Sequence, residues 1–275
     1  MPRSAAAPSS CSPSSASRAS VSNIPRIALG LEYDGSRFLG WQTQAGGGAV
    51  QDVLQPALGA IAGEAISVTG AGRTDRGVHA LAQVAHFDTT AARPGTAWVR
   101  GVNAFLPESV AVLWAREVDS EFHARFSALA RTYRYRLVNR PVRPALEARH
   151  AGWYHAPLDI AAMREAARVL VGEHDFSAFR AAECEAKTPV RVVHSAVIEA
   201  HGGRVDFIIR ANAFLHHMVR NIVGSLIYVG NGRQPPAWIG ELLAARDRAR
   251  AAPTFAPEGL YLERVEYDAR WALPQ

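Results

Sequence analysis

The chain has 275 residues, 48% of them hydrophobic, enough apolar material for one large domain or two modest ones. Its formal charge is +5, and Arg3 and Arg18 in the acid-free first 25 residues supply two of those charges, so the rest carries only +3 (5 − 2), a surplus that permits nucleic-acid binding without requiring it. Cys11 and Cys184 are the only cysteines and no CxxC occurs, which excludes a disulfide framework and an ordinary zinc module and fits a reducing cytoplasm.

Arginine supplies 29 of the 30 basic residues, Lys187 being the exception, which reads first as the signature of a GC-rich genome. No apolar run of about 18 residues exists, so no membrane span is expected. Residues 1–24, rich in Ser, Ala and Pro, are expected to be a disordered extension. They lack the apolar centre of a secretory signal, and a transit peptide is the lesser reading.

In chain order, Ile27–Tyr33 reads as a strand that runs into the turn signal Asp34-Gly35. From Val50 the apolar residues Val53, Leu54, Ala57, Leu58 and Ile61 follow helical spacing. Ile66–Val68 and Leu81–Phe87 read as strands around a polar loop, Ala97–Phe105 as a short helix and Val110–Val118 as a strand. The second half opens with a strand over Thr132–Val138. A helix follows from Ile160, with Asp159 as its N-cap. Val192–Ala200 and Val205–Ala211 form a hairpin, Phe214–Tyr228 and Trp238–Ala245 are helices, and Leu260–Tyr267 is the last strand. The expected fold is α+β: two similar α/β-sandwich halves, ferredoxin- or RRM-like, at 25–130 and 131–275. Their antiparallel sheets would join around a central cleft.

The loop Gly72-Arg73-Thr74-Asp75-Arg76-Gly77-Val78-His79 is the strongest chemical signal. A carboxylate between two arginines stays ionised, and the arginines can hold an anionic polymer. An aspartate that merely caps its turn is the plain alternative. In Arg131-Thr132-Tyr133-Arg134-Tyr135-Arg136, Tyr133 and Tyr135 share one face and Arg134 and Arg136 the other, suiting base stacking and phosphate contact; a core strand with a solvated basic face fits equally. Along a helix opened by His216-His217, the residues His217, Arg220, Asn221 and Gly224 share a face. Arg220 calls for a carboxylate, with Asp75 a candidate. Two ordinary hydrogen-bonded histidines and a surface arginine are the plain alternative, and a zinc site is not expected, because adjacent helical histidines diverge and no third ligand is spaced to help. Phe122–Phe126 and Glu183–Lys187 are polar loops that either touch a polyanion or are solvated.

Several segments, in order, resemble the tRNA pseudouridine synthase A family: Leu31–Gln42, Ala71–Ala80, Phe122–Phe126, Arg131–Tyr135, Asn212–Gly224 and Glu258–Leu262. The resemblance runs from about residue 26 to 272 and is specific, since its motifs are long and several. It implies an isomerase converting uridine to pseudouridine at positions 38, 39 and 40 of the tRNA anticodon stem-loop. It further implies a homodimer that contacts tRNA through both subunits and needs no cofactor. By resemblance Asp75 is the catalytic aspartate, Tyr133 packs on the target base, Arg73 assists base flipping and Arg220 pairs with the carboxylate. RNA contacts fall near Arg93, at Phe122, His123, Ala124, Arg125 and Phe126, and at Glu183, Cys184, Glu185, Ala186 and Lys187. Arg76 departs from the small residue, commonly alanine, of the family pattern. The competing classes are a catalytically silent RNA binder on the same fold and an Asp-dependent hydrolase. The hydrolase reading finds neither a metal cluster nor a second paired carboxylate near the loop.

Overall fold

The computed structural model describes residues 24–274, and the tail expected at 1–24 lies outside them but for its last residue. The elements are β1 (Arg26–Tyr33), α1 (Val50–Ala62), β2 (Thr69–Gly70), β3 (His79–Asp88), β4 (Val110–Val118), β5 (Ala128–Asn139), β6 (Gly152–Tyr154), α2 (Ile160–Arg168), β7 (Gly172–Asp175), β8 (Val190–His201), β9 (Arg204–Ala211), α3 (Met218–Gly230), α4 (Trp238–Ala245) and β10 (Leu260–Tyr267). The segment read as a helix over Ala97–Phe105 is a short helix over 95–103, widened at Ala97–Gly101. The strand read at Ile66–Val68 is the two-residue β2, displaced to Thr69–Gly70.

All ten strands belong to one sheet, ordered β4-β1-β3-β10-β5-β9-β8-β7, with β2 added to β3 and β6 to β5. The join between the chain's two parts differs from the antiparallel junction expected. The last strand enters between β3 and β5, antiparallel to β5 but parallel to β3, with Tyr261 opposite His79 and Leu262 opposite Ala80. An antiparallel pairing with β5 fixes the direction of β10, so its contact with β3 is parallel.

Alternation along the strands sorts the side chains. Leu29, Leu31 and Tyr33 of β1, Tyr133 and Tyr135 of β5, and Phe207 and Ile209 of β9 join the buried faces of α1 to α4 in one apolar cluster. Each large side chain so buried stabilises the fold by about 1.5–3 kcal/mol. Ala28 and Val84 belong to a smaller cluster closed by Phe122, Ala124 and Trp271. Beyond it, the outward face of β5, β9 and β10 is an ion-pair lattice. Arg134 donates to Glu263 and Asp206, both at 2.9 Å, and Arg210 donates to Glu266 at 2.7 and 2.6 Å. Arg134, read from the sequence as a phosphate contact, is therefore neutralised within the sheet. Arg136 lies over the ring of Tyr261 at 4.4 Å.

His86 of β3 is 6% exposed, and burial, with Arg26 and His123 adding to it, pushes its pKa down to about 4. The native state keeps this ring neutral, while the unfolded chain protonates it near its ordinary value. Stability due to this group is thus complete above about pH 6.5 and falls as pH drops toward 4. Burial moves His79 and His123 in the same direction. At about 1.4 kcal/mol per pH unit, His86 accounts for a loss of up to about 3 kcal/mol between pH 6.5 and 4. Urea unfolding across this range should show that loss, and a shallower slope in His86→Gln.

Candidate active site

The loop Ala71–Val78, between β2 and β3, is fastened from several sides. Ala71 N–H donates to Val84 O at 2.7 Å, Trp41 N–H to Thr74 O at 3.0 Å, and Gln83 Nε2 to Gly72 O at 2.8 Å. The hydroxyls of Tyr33 and Thr74 meet at 2.8 Å, and burial raises the Tyr33 phenol to about 12. Two glycines of the Asp34–Gln42 segment make this contact possible. A Cβ on Gly35 would stand 1.9 Å from Val78 O. Gly40 has φ +114, and a Cβ there would approach Thr74 O to 2.7 Å.

Asp75 thereby projects toward the start of α3, its side chain 22% exposed. Arg220 Nη1 donates to its Oδ2 at 3.0 Å, while Arg220 Nε donates to Phe255 O at 2.9 Å. The sequence pointed to the Arg220–Asp75 pairing. It did not give the strap Ala252–Pro257, which runs across α3, with Pro253 O against Gly224, and holds the guanidinium in place.

The histidines correct the helical reading. Helix α3 begins at Met218, not Phe214, because His217 adopts a left-handed backbone with φ 61°. Phe214 and Leu215 owe their apolar character to another role: Phe214 packs edge-on against Tyr133 at 4.9 Å, and Leu215 is buried. Instead of diverging on a helix, His216 and His217 converge. Their Nε2 atoms stand 3.3 Å from Oδ1 and 3.3 Å from Oδ2 of Asp75. Burial lowers the His217 pKa, an effect that the Asp75 charge opposes.

Tyr133 is buried, and burial first, then Tyr33 and the charge of Asp75, drive its phenol above the ordinary range. Its hydroxyl therefore keeps its proton at neutral pH. Arg73 is exposed and meets Glu185 at 3.2 Å, which brings the Glu183–Lys187 loop to the Asp75 loop through a weak, solvated pair. Within that loop Cys184 is buried, its Sγ accepting from His216 N–H at 3.4 Å. In Phe122–Phe126, Phe122 and Ala124 are buried; Arg125 and Phe126 are exposed, with the His123 ring 4.3 Å from that of Phe126. Arg93 donates to Ile61 O at 2.9 Å, capping the end of α1. Arg76 is exposed.

Arg131 was missed as a site residue. It is 9% exposed and donates to the carbonyl oxygens of Ala71 (3.0 Å), Arg125 (2.6 Å), Ala128 (3.2 Å) and Asn212 (3.0 Å). Its register on the tyrosine face of β5 was the available signal. Among the described residues, two donor groups have metal-binding composition: Asp75 with His216 and His217, and Asp34 with His79 and His150. In the second, His79 Nδ1 already accepts from Gly35 N–H at 3.1 Å while Nε2 donates to Arg149 O and Glu258 O, so both ring nitrogens are in use.

A carboxylate seated on one guanidinium and two imidazoles, beside a buried protonated tyrosine, defines an acid–base or nucleophilic site on an α+β scaffold. A family model described as tRNA pseudouridine synthase matches residues 31–127 and 166–268. The tRNA pseudouridine synthase A of Thiobacillus denitrificans is 60% identical over 91% of this chain and 96% of its own length. That of Methylobacillus flagellatus is 59% identical over 90% and 95%. The chain belongs to the tRNA pseudouridine synthase family, isomerases that act on uridine in tRNA. Among solved structures, an archaeal box H/ACA sRNP Nop10-Cbf5 complex aligns at 14% identity and a TM-score of 0.35, over 73% of this chain and 44% of that one, too loosely to support an argument.

Arg131→Met should cost about 3 kcal/mol in urea unfolding, because buried carbonyls lose their donor. Arg220→Lys keeps the charge but cannot reach both Phe255 O and Asp75. Losing one charge-assisted hydrogen bond should lower kcat about 10- to 100-fold with KM for tRNA near wild type.

Proposed function

We propose that this chain isomerises uridine to pseudouridine at positions 38, 39 and 40 of the tRNA anticodon stem-loop, with Asp75 as the catalytic carboxylate. The observation that carries the reading is the seat of Asp75: its Oδ2 lies 3.0 Å from Arg220 Nη1, across the join between the chain's two parts. A turn-capping aspartate would bond its own loop; this one is held by side chains from another element. A protein that only binds RNA gains nothing from a carboxylate turned toward a polyanion.

In this reading the target base leaves the stack and Arg73 occupies the space it vacates. Tyr133 packs against the uracil, and as a protonated phenol it can donate a hydrogen bond. Arg220 fixes the direction of the carboxylate. Asp75 attacks C1′ or C6, or takes the C2′ proton. In each route the C1′–N1 bond breaks, the uracil turns, a C1′–C5 bond forms and the C5 hydrogen leaves as a proton.

The same reading treats the two parts of the chain, divided near residues 130 and 131, as variants of one ferredoxin- or RRM-like sandwich. It has the enzyme working in the cytoplasm as a homodimer without a cofactor. No helix among the described residues is long and apolar enough to cross a membrane. RNA would run along Arg93, Phe122–Phe126 and Glu183–Lys187, with Arg93, Arg125, Phe126 and Lys187 among the exposed groups.

Asp75→Asn keeps the shape of the side chain and removes its charge. It should abolish tritium release from 5-tritiated uridine in anticodon stem-loop RNA while tRNA affinity stays within about threefold. Normal pseudouridine formation by that variant would refute the assignment.

A further inference from the structure

His216 and His217 aim Nε2 atoms at different oxygens of one carboxylate, 3.3 Å away in each case. All three donor groups lie within 4.8 Å of one another. A tetrahedral Zn2+ with bonds of about 2.0–2.1 Å to nitrogen and oxygen sets its ligand atoms about 3.3–3.4 Å apart. Each imidazole nitrogen already stands at that distance from one oxygen of Asp75, and a turn of the carboxylate presents a single oxygen to both. The edge between the imidazoles closes by rotation of side chains whose ring centres are 4.0 Å apart. The left-handed backbone at His217 is what lets consecutive side chains converge in this way. Side-chain exposures of 39% for His216 and 26% for His217 leave the group open to the cleft.

We propose that Asp75, His216 and His217 form a binding site for a divalent transition-metal ion, best fitted by Zn2+, and that the bound ion silences the enzyme by occupying the carboxylate. The silencing rests on the reading of Asp75 as the catalytic group; the binding does not. Two imidazoles and one carboxylate select Zn2+ and its neighbours over Mg2+ or Ca2+, which prefer all-oxygen shells. The fourth position is left to water. Arg220, 3.0 Å from Oδ2, repels an added cation. The ion is therefore a reversible inhibitor of moderate affinity, not a resident structural metal, and it competes with protons for the imidazoles.

The test uses untagged full-length protein, titrated with ZnCl2 by calorimetry and with CoCl2 by visible absorption. The expected result is one ion per chain, a tetrahedral Co2+ spectrum and no response to MgCl2. The double variant His216→Ala/His217→Ala and, separately, Asp75→Asn should each weaken Zn2+ binding at least about tenfold. Cys184→Ser, which removes the thiol beneath His216, should leave the affinity unchanged, and circular dichroism checks the fold of every variant. Tritium release by the wild type should fall with Zn2+ occupancy and return on chelation. Equal Zn2+ affinity in the wild type, the double variant and Asp75→Asn, or no binding by the wild type, overturns the proposal. Zn2+ that binds through these residues without slowing tritium release overturns the silencing and the catalytic reading of Asp75, while the metal site stands.

Discussion

A buried guanidinium without a carboxylate partner holds the site in register. Arg131 draws together the carbonyl oxygens of Ala71, at the root of the Asp75 loop, Arg125, in the Phe122–Phe126 segment, and Asn212, on the approach to His216. A buried cation is costly unless its donors are satisfied, and burial does press this one toward the neutral form. Carbonyl dipoles meet the need without a countercharge. The result is a joint that adds no acid to a region that already holds the Asp75 carboxylate. Separate any of those three segments and the guanidinium is left with an unmet donor, so their positions are coupled.

The same logic of shared partners runs through α3. Asn221, fully buried, donates to Phe179 O at 2.8 Å and accepts from Thr254 at 2.7 Å and Arg248 at 3.0 Å. One turn of helix therefore fastens the Ser177–Phe179 turn on one side and the Ala252–Pro257 strap on the other. The strap in turn fixes Arg220 through Phe255 O, and Arg220 fixes Asp75. After the strap the chain enters β10, the strand that joins the two parts of the sheet. Closure of the sheet and orientation of the carboxylate are thus consequences of one stretch of backbone.

Legibility in the sequence followed the range of the interactions. Strand β4, helix α4 and strand β10 have the bounds that apolar spacing and turn residues indicate, because local pattern alone decides them. The pairing of Asp75 with Arg220 was legible because a lone arginine in an apolar helix needs an acid. The start of α3 was not: Phe214 and Leu215 satisfy helical periodicity, yet their burial comes from contacts with Tyr133 and the core in extended backbone, and the left-handed His217 leaves no local mark. Strands β6 and β7 are too short to carry a period, and each exists only because a long neighbour offers an edge. The role of Arg131 depends on backbone atoms from three distant segments, which no side-chain pattern announces.

These bonds also explain how a chain with a small surplus of charge can face a polyanion. Several of its less exposed arginines are already engaged: Arg26 by Asp88, Arg131 by carbonyls, Arg134 and Arg210 by acids across the sheet, and Arg220 by Asp75. Arg73 and Arg76 are exposed beside Asp75, and Arg125 is exposed beside Phe126, among other exposed arginines over the surface. An anionic backbone drawn to Arg73 and Arg76 arrives next to Asp75. Because those two cations flank Asp75, the repulsion between its carboxylate and a phosphate chain is offset where it is strongest.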